Sequence, residues 1–370
     1  MAGFAELGSE ETAARNVSVS PSDRAPSPRA ASPSRSEIMW SRLVPYTLLH
    51  LSCFLVLWVG WSPVAVWTAV FLYAIRMFAI TGFYHRYFSH RTFRTSRPMQ
   101  FLFGVLGASA AQKGPLWWAA HHRYHHQHAD LEHDLHSPSR HGFLWSHVGW
   151  IWARSNYDTE LHSVRDLSRY PELRWLDRNA LWVPVGLAVS LYGVGALLAQ
   201  LAPALGTSGG QMVVWGFCIS TVVLYHATYT INSLAHSWGS RRYDTRDDSR
   251  NNWFLALITL GEGWHNNHHR YPVATRQGFF WWEIDLTYYG LWVLSKLGIV
   301  WGLRPVPARI RNEEQRSGEL QERAPRATRG PSPSSFAGQS TASRNAARRN
   351  PARRTSARRI ATRRTSRTSA

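Results

Sequence analysis

Five histidines fall within eight residues at His121-His122-Arg123-Tyr124-His125-His126-Gln127-His128, directly behind Trp117 and Trp118. On a helix, His122, His125 and His126 stand at i, i+3 and i+4, so three imidazoles share one face. Neutral imidazole is the commonest metal ligand in proteins, and three converging on one point make most of a coordination shell. Taken alone, such a run is equally a solvated histidine-rich loop. The pattern recurs, however. His265, His268 and His269 repeat the spacing within Gly261-Glu262-Gly263-Trp264-His265-Asn266-Asn267-His268-His269. His85 and His90 bracket a third segment, and Asn232 leads His236 in a fourth.

These nine histidines are too many for one ion. Two ions of four or five ligands each would use them, with Asn232 ligating directly or through a water. His85 and His90 lie five apart, about 140° round an α-helix, which suits opposite sides of a two-metal centre. All-imidazole ligation fits iron, copper or zinc. A soluble carboxylate-bridged di-iron bundle would need two Glu-x-x-His motifs and two further glutamates. This chain has one such motif, Glu262 to His265. Glu262 therefore reads either as a partner that orients a ligating imidazole or as an exposed surface residue.

The elements that must position these groups are apolar spans. Residues 43–61 and 64–83 are long enough to cross a bilayer, as are 180–201 and 212–231. The first pair is joined by Trp61-Ser62-Pro63 and the second by residues 202–210, both loops without Lys or Arg. By the positive-inside rule both termini and the block between the hairpins are cytosolic, so all four histidine segments share one side of the membrane. His85 and His236 each follow the exit of a returning span, where the other segments can fold down onto them. The expected fold is therefore an all-α integral membrane protein: two hairpins of transmembrane helices under a cytosolic helical cap, 84–178 and 234–303. Met99–Ala111 is too short to span, and 279–303, with Glu283, Asp285 and Lys296, reads as an amphipathic helix on the membrane.

Outside residues 38–304, composition changes. Residues 1–37 read as a disordered leader without a secretory signal, and 305–370 as a disordered Arg-rich tail. The formal net charge of +19 rests on arginine, since Lys113 and Lys296 are the only lysines. That skew favours a bacterial cytoplasmic membrane over the endoplasmic reticulum. Arginine beside apolar spans acts as a topology signal, so no specific nucleic acid is expected. Cys53 and Cys218 both sit in apolar blocks, which excludes a disulfide framework and a cysteine-rich metal site. A membrane metal transporter or sensor would line a path with mid-span polar groups, and only Arg76 and His226 qualify.

The whole resembles the membrane-bound acyl desaturases of the stearoyl-CoA Δ9 type. The resemblance rests on the HxxxxH box at His85 and His90, HxxHH boxes at His122 and His265, and the Asn232-Ser233-Leu234-Ala235-His236 element. The flanks HRYFSHRTF at 85–93, GFLWSHVGW at 142–150 and GEGWHNNHH at 261–269 carry it further, over roughly residues 40–300. It implies two iron ions held by His85, His90, His122, His125, His126, His236, His265, His268, His269 and Asn232. It also implies O2 as co-substrate and two electrons from a separate donor, such as ferredoxin, a cytochrome b5-like protein or a reductase. The product would be a cis double bond in a saturated fatty acyl chain, and the resemblance leads us to expect it at the Δ9 position of an acyl-CoA. Related hydroxylases share three of the boxes. An alkyl C–H bond is not acidic, so the difficult step belongs to the metal centre while the protein positions the chain and excludes water. Phe83, Trp117, Trp118 and Trp264 are candidates to line the acyl tunnel. One departure concerns the carrier: the animal acyl-CoA enzymes place a charged Arg-Asp pair before the second box, where this chain has Ala120-His121. That opens the substrate to acyl chains on lipids or another carrier. His121, His128, His133, His136, His141 and His147 lie beyond the family's ligand set.

Overall fold

The computed structural model describes residues 38–313, so the proposed leader and nearly all of the tail lie outside the described residues. Four helices are long and apolar enough to cross a membrane: Trp40–Val59, Pro63–Ser89, Trp182–Leu201 and Gly209–His236. Nothing in the first is fully buried, and its Leu57 and Trp58 are more than three-quarters exposed, as a lipid-facing surface should be.

Each hairpin turn has a local cause. Gly60 adopts φ 68° and ends the first span, and Ser62 caps the second by accepting from Ala65 N, with Pro63 in the first helical turn. The carbonyls left over at the first span's end are taken up from the fourth: Gln211 Nε2 donates to Val59 O at 2.9 Å and Trp215 Nε1 to Gly60 O at 3.0 Å. A capping box of Ser208 and Gln211 starts the fourth span. The third and fourth spans touch at small residues, since a Cβ on Gly195 would lie 2.6 Å from Ser208 O.

The second and fourth spans run past the expected ends at 83 and 231. His85 and His236 thus stand on continuous helix, not in a loop after it. Hydropathy marks only where the lipid ends, whereas these helices continue because the cap buries them. The cap is built from short helices, chiefly Arg97–Ala108, Pro115–His128, Pro171–Arg178, Trp253–Ile258, His265–Arg270 and Leu286–Lys296. Tyr84, Phe88, Phe103, Leu116, Leu167 and Leu173 belong to one buried core joining the second span to this cap. Gly107 admits the Tyr84 ring, which a Cβ would overlap.

Three details differ from the sequence expectation. A two-residue antiparallel pair, Arg94–Thr95 with Val300–Trp301, interrupts the all-helical cap. The surface helix expected over 279–303 is confined to Leu286–Lys296, because Glu283 and Asp285 are wholly buried and paired with arginines. Ordered chain also continues past 304: Ala308–Arg311 is helical, Ile310 is buried, and Arg270 pairs with Glu313.

Candidate metal centre

The histidine segments meet between the cap ends of the second and fourth spans. The last part of the second span, Ala79–Ser89, winds as a π-helix. His90 N–H donates to His85 O at 3.2 Å, an i→i+5 bond that turns both imidazoles to one side. The expected placement on opposite sides fails for this reason: the 140° estimate assumed α-helical winding. The helix Pro115–His128 is fixed by Pro115 in its first turn and by Asp177, whose carboxylate accepts from Leu116 N at 3.0 Å and Trp117 N at 2.9 Å.

The ring nitrogens gather into two cages. His85, His90, His122, His126 and His268 form one, and His125, His236, His265 and His269 the other, with one nitrogen from each residue within 4.8 Å of the rest of its cage. In the first cage the Nε2 atoms of His90 and His122 lie 2.8 Å apart, those of His122 and His126 3.0 Å, and those of His268 and His85 3.0 Å. Each HxxHH box is therefore split between cages, contrary to three imidazoles converging on one point. The i and i+4 residues point into one cage and the i+3 residue into the other.

Carboxylates decide which nitrogen faces inward. Nδ1 of His125 meets Asp134 at 3.1 Å, Nδ1 of His236 meets Asp130 at 2.7 Å, Nδ1 of His269 meets Asp247 at 2.9 Å, and Nδ1 of His85 meets Glu262. A carboxylate can only accept there, so each Nδ1 carries the proton and each Nε2 presents a lone pair. His236 Nε2 then faces His265 Nε2 at 3.0 Å, and His269 Nε2 is buried without a partner. Lone pairs aimed at one another in a buried site fit a cation at the centre of each cage. Burial, with neighbouring imidazoles, pushes His90, His122, His126, His265 and His268 well below the usual histidine pKa. Burial likewise brings His269 down to about 4 against the pull of Asp247. Neutral imidazoles are the form a metal binds. Burial opposes ionisation of Asp130, Asp134 and Asp247, but their histidine partners hold all three below the usual carboxylate range.

His125, Asp134 and His136 also cluster. That group would claim His125 Nδ1, which is committed to Asp134, so it supports the second cage and is not a third one. Glu262 is buried and not exposed on the surface; its carboxylate meets His85 Nδ1 and Arg86, the latter at 3.0 Å. Arg86 also meets Asp285 at 2.9 Å. Asp130, Asp134, Asp247 and Arg86 were not singled out from sequence, and Asp285 was read only as a charge on a membrane-surface helix. The available signal was the scarcity of acidic residues and the proximity of Asp130 and Asp134 to the second box.

One pocket opens on both cages. Its walls include Met77, Ile80, Thr81, Trp118, Ile231 and Asn232 beside His122 and His265. Of the four tunnel candidates only Trp118 lines it. Phe83 stacks on Phe103 at 3.8 Å, Trp117 stacks on His121 at 4.2 Å, and Trp264 donates to Ile284 O at 2.8 Å. His121 and His128 point back along their own helix to the carbonyls of Trp117 and Tyr124, outside both cages. Arg76 lines no path either; it is bound to Ser220, Thr221 and the Ser109 carbonyl.

Four spans beneath a cap holding two imidazole cages define an integral membrane protein with the histidine clusters of a metal-dependent oxidoreductase. The chain matches the fatty acid desaturase family over residues 60–295, and it belongs to that family. It is 36% identical over 272 residues to an sn-2 palmitoyl-lipid 9-desaturase of Nostoc sp. (strain 36), covering 71% of this chain and 89% of the relative. It is 33% identical over 272 residues to an sn-1 stearoyl-lipid 9-desaturase of Anabaena variabilis, covering 73% and 95%. An acyl-CoA C20 Delta5-desaturase of Anemone leveillei is 36% identical over 249 residues, covering 66% and 75%.

Proposed function

We propose that this desaturase introduces a cis double bond at the Δ9 position of a saturated acyl chain esterified to a membrane lipid. Two irons would sit in the cages, held by the nine imidazoles with Asn232 at the pocket wall. Iron bound there supplies the oxidising power that an unactivated C–H bond demands, with O2 as co-substrate and two electrons from a separate carrier such as ferredoxin. The chain's own residues do the rest. Met77, Ile80, Ile231 and Trp118 give the pocket apolar walls that take up methylenes and exclude water. Asp130, Asp134, Asp247 and Glu262 keep the imidazoles in the tautomer that ligates. The cap would face the cytosol, as the arginine distribution favours, and so would the electron carrier.

The observation that carries this reading is the pocket shared by both cages at the membrane end of the cap. Three things support a lipid carrier over acyl-CoA. The charged pair of the animal acyl-CoA enzymes is replaced by Ala120-His121. The Nostoc and Anabaena relatives are named for lipid-linked chains and for position 9. Lastly, Arg42, near the start of the first span, and Lys113 both lie against the Tyr157 ring, at 4.4 and 4.2 Å, and neither makes an ion pair among the described residues. They offer positive charge to an anionic headgroup resting in the bilayer.

The test is to reconstitute the iron-loaded protein in liposomes with reduced ferredoxin and O2, offering stearoyl chains on phosphatidylglycerol or on CoA. Mass spectrometry of the products should find a 9-ene on the lipid. A 9-ene formed only from the CoA ester would refute the lipid carrier, and a hydroxylated chain without an alkene would refute desaturation.

A further inference from the structure

Behind the second cage a file of aromatic side chains runs to the surface. His136 stacks on the cage residue His125, with ring centres 4.4 Å apart and planes 28° from parallel. The Trp150 indole follows at 4.9 Å, and Trp117 stacks on Trp150 at 6.0 Å with planes 13° apart. Trp117 Nε1 donates to the Asn156 carbonyl at 3.0 Å, and the next residue is Tyr157. The Lys113 ammonium bridges the last two rings, 5.2 Å from the Trp117 centre and 4.2 Å from that of Tyr157. His125, His136, Trp150 and Trp117 are all buried, whereas Tyr157 is 42% exposed. The rings behind the first cage end inside the protein instead. Trp118 lies 5.0 Å from His122 and Tyr84 6.2 Å from Trp118, and Tyr84 is fully buried against Phe88.

Such spacings are ordinary aromatic packing. What sets this file apart is the order of its chemistry. Tryptophan and tyrosine give up an electron to a strong oxidant but do not accept one from a weak reductant such as the carrier. The Trp150 Nε1–H has no partner among the described residues, and the Trp117 Nε1–H meets a carbonyl. Neither indole has a base to take its proton, so neither comes to rest as a neutral radical. Lys113 also repels positive charge on Trp117. Tyr157 reaches solvent and can release its phenolic proton as it loses an electron. An oxidising equivalent entering the file at His125 therefore settles on Tyr157.

We propose that this file drains oxidising equivalents from the metal site to Tyr157 when no acyl chain occupies the pocket, an inference that rests on the metal-dependent reading above. A site able to attack an alkyl C–H bond will otherwise attack the protein, and Met77 and Trp118 stand in the pocket wall. In each passage one electron moves from Tyr157 through Trp117, Trp150 and His136 to the metal held by His125, and the phenolic proton goes to water. A one-electron reductant in solution, of the ascorbate class, returns the electron, and water returns the proton. Two such passages, with the two electrons from the carrier and four protons, reduce O2 to two waters.

The test uses full-length, iron-loaded protein, reduced, mixed with O2 in the absence of acyl substrate, and frozen for electron paramagnetic resonance. The parent should show a tyrosyl radical, identified by its narrowing with ring-deuterated tyrosine. Tyr157→Phe should lose it. Trp150→Phe should lose it too, although Tyr157 is still in place, because the file is cut. At equal iron content both variants should accumulate more Met77 sulfoxide than the parent, read by mass spectrometry. A parent without the radical, or a Trp150→Phe variant that keeps it, overturns the route. Unchanged Met77 oxidation in both variants overturns its protective role. Conversion of a stearoyl lipid by the same preparation, measured in parallel, shows that such a failure belongs to the route and not to the metal-dependent reading.

Discussion

His122 and His125, three residues apart on one helix, serve different cages: His122 joins His85, His90, His126 and His268, while His125 joins His236, His265 and His269. The helix Pro115–His128 is thus a wall between two sites. His268 and His269, adjacent in sequence, divide the same way.

That division predicts separable metal loss. His122→Ala should lower bound metal by about half and leave the second cage filled, whereas a collapse of both sites would remove all of it. His125→Ala should give the complementary loss. Elemental analysis with Mössbauer spectra of iron-57-loaded protein distinguishes the two, and identical residual spectra would refute independent cages.

The carboxylates set the imidazole tautomers, so Asp130→Asn should act on the metal and not on the fold. An amide can present its NH2 to His236 and favour the wrong tautomer. Metal affinity should drop about 10–100-fold, read by chelator competition, with helical content unchanged. Unchanged affinity would show that Asp130 does not orient His236.

Arg86 is buried between Glu262 and Asp285. Arg86→Met leaves two buried carboxylates facing each other and should cost about 3–5 kcal/mol in unfolding free energy. Replacing all three with apolar residues of similar size should recover much of that loss. A thermal or detergent-unfolding series checks the order of stabilities.

Burial, with Arg42 nearby, lowers the Lys113 pKa to about 8. The ammonium is charged below that value and neutral above it. If it meets an anionic headgroup, KM for a phosphatidylglycerol substrate should rise as pH climbs through about 8, and Lys113→Arg should abolish the rise. A KM that is flat across that range in the parent would remove Lys113 from the headgroup site.

Much of this was legible in sequence, and what was not has physical causes. Span number follows from length and charge, because a bilayer imposes both. The nine histidines were legible because their spacings recur at both helix boxes and at both returning spans. Their assignment was not, since it depends on local winding: the π-helix at Ala79–Ser89 turns His90 to the same side as His85, and no residue type announces it. Asp247 was hidden because its meeting with His269 depends on how the loop before Trp253 folds back. Trp264 shows the limit of reading aromatics by proximity, since its indole is committed to the Ile284 carbonyl, away from the pocket.

The most direct test of the central claim is to count iron and locate the double bond in one preparation. The purified protein should hold about two irons per chain and convert a stearoyl lipid to its 9-ene, with both properties lost together in a His122→Ala, His125→Ala double variant. Full conversion by protein that carries no metal, or by that double variant, would contradict the account.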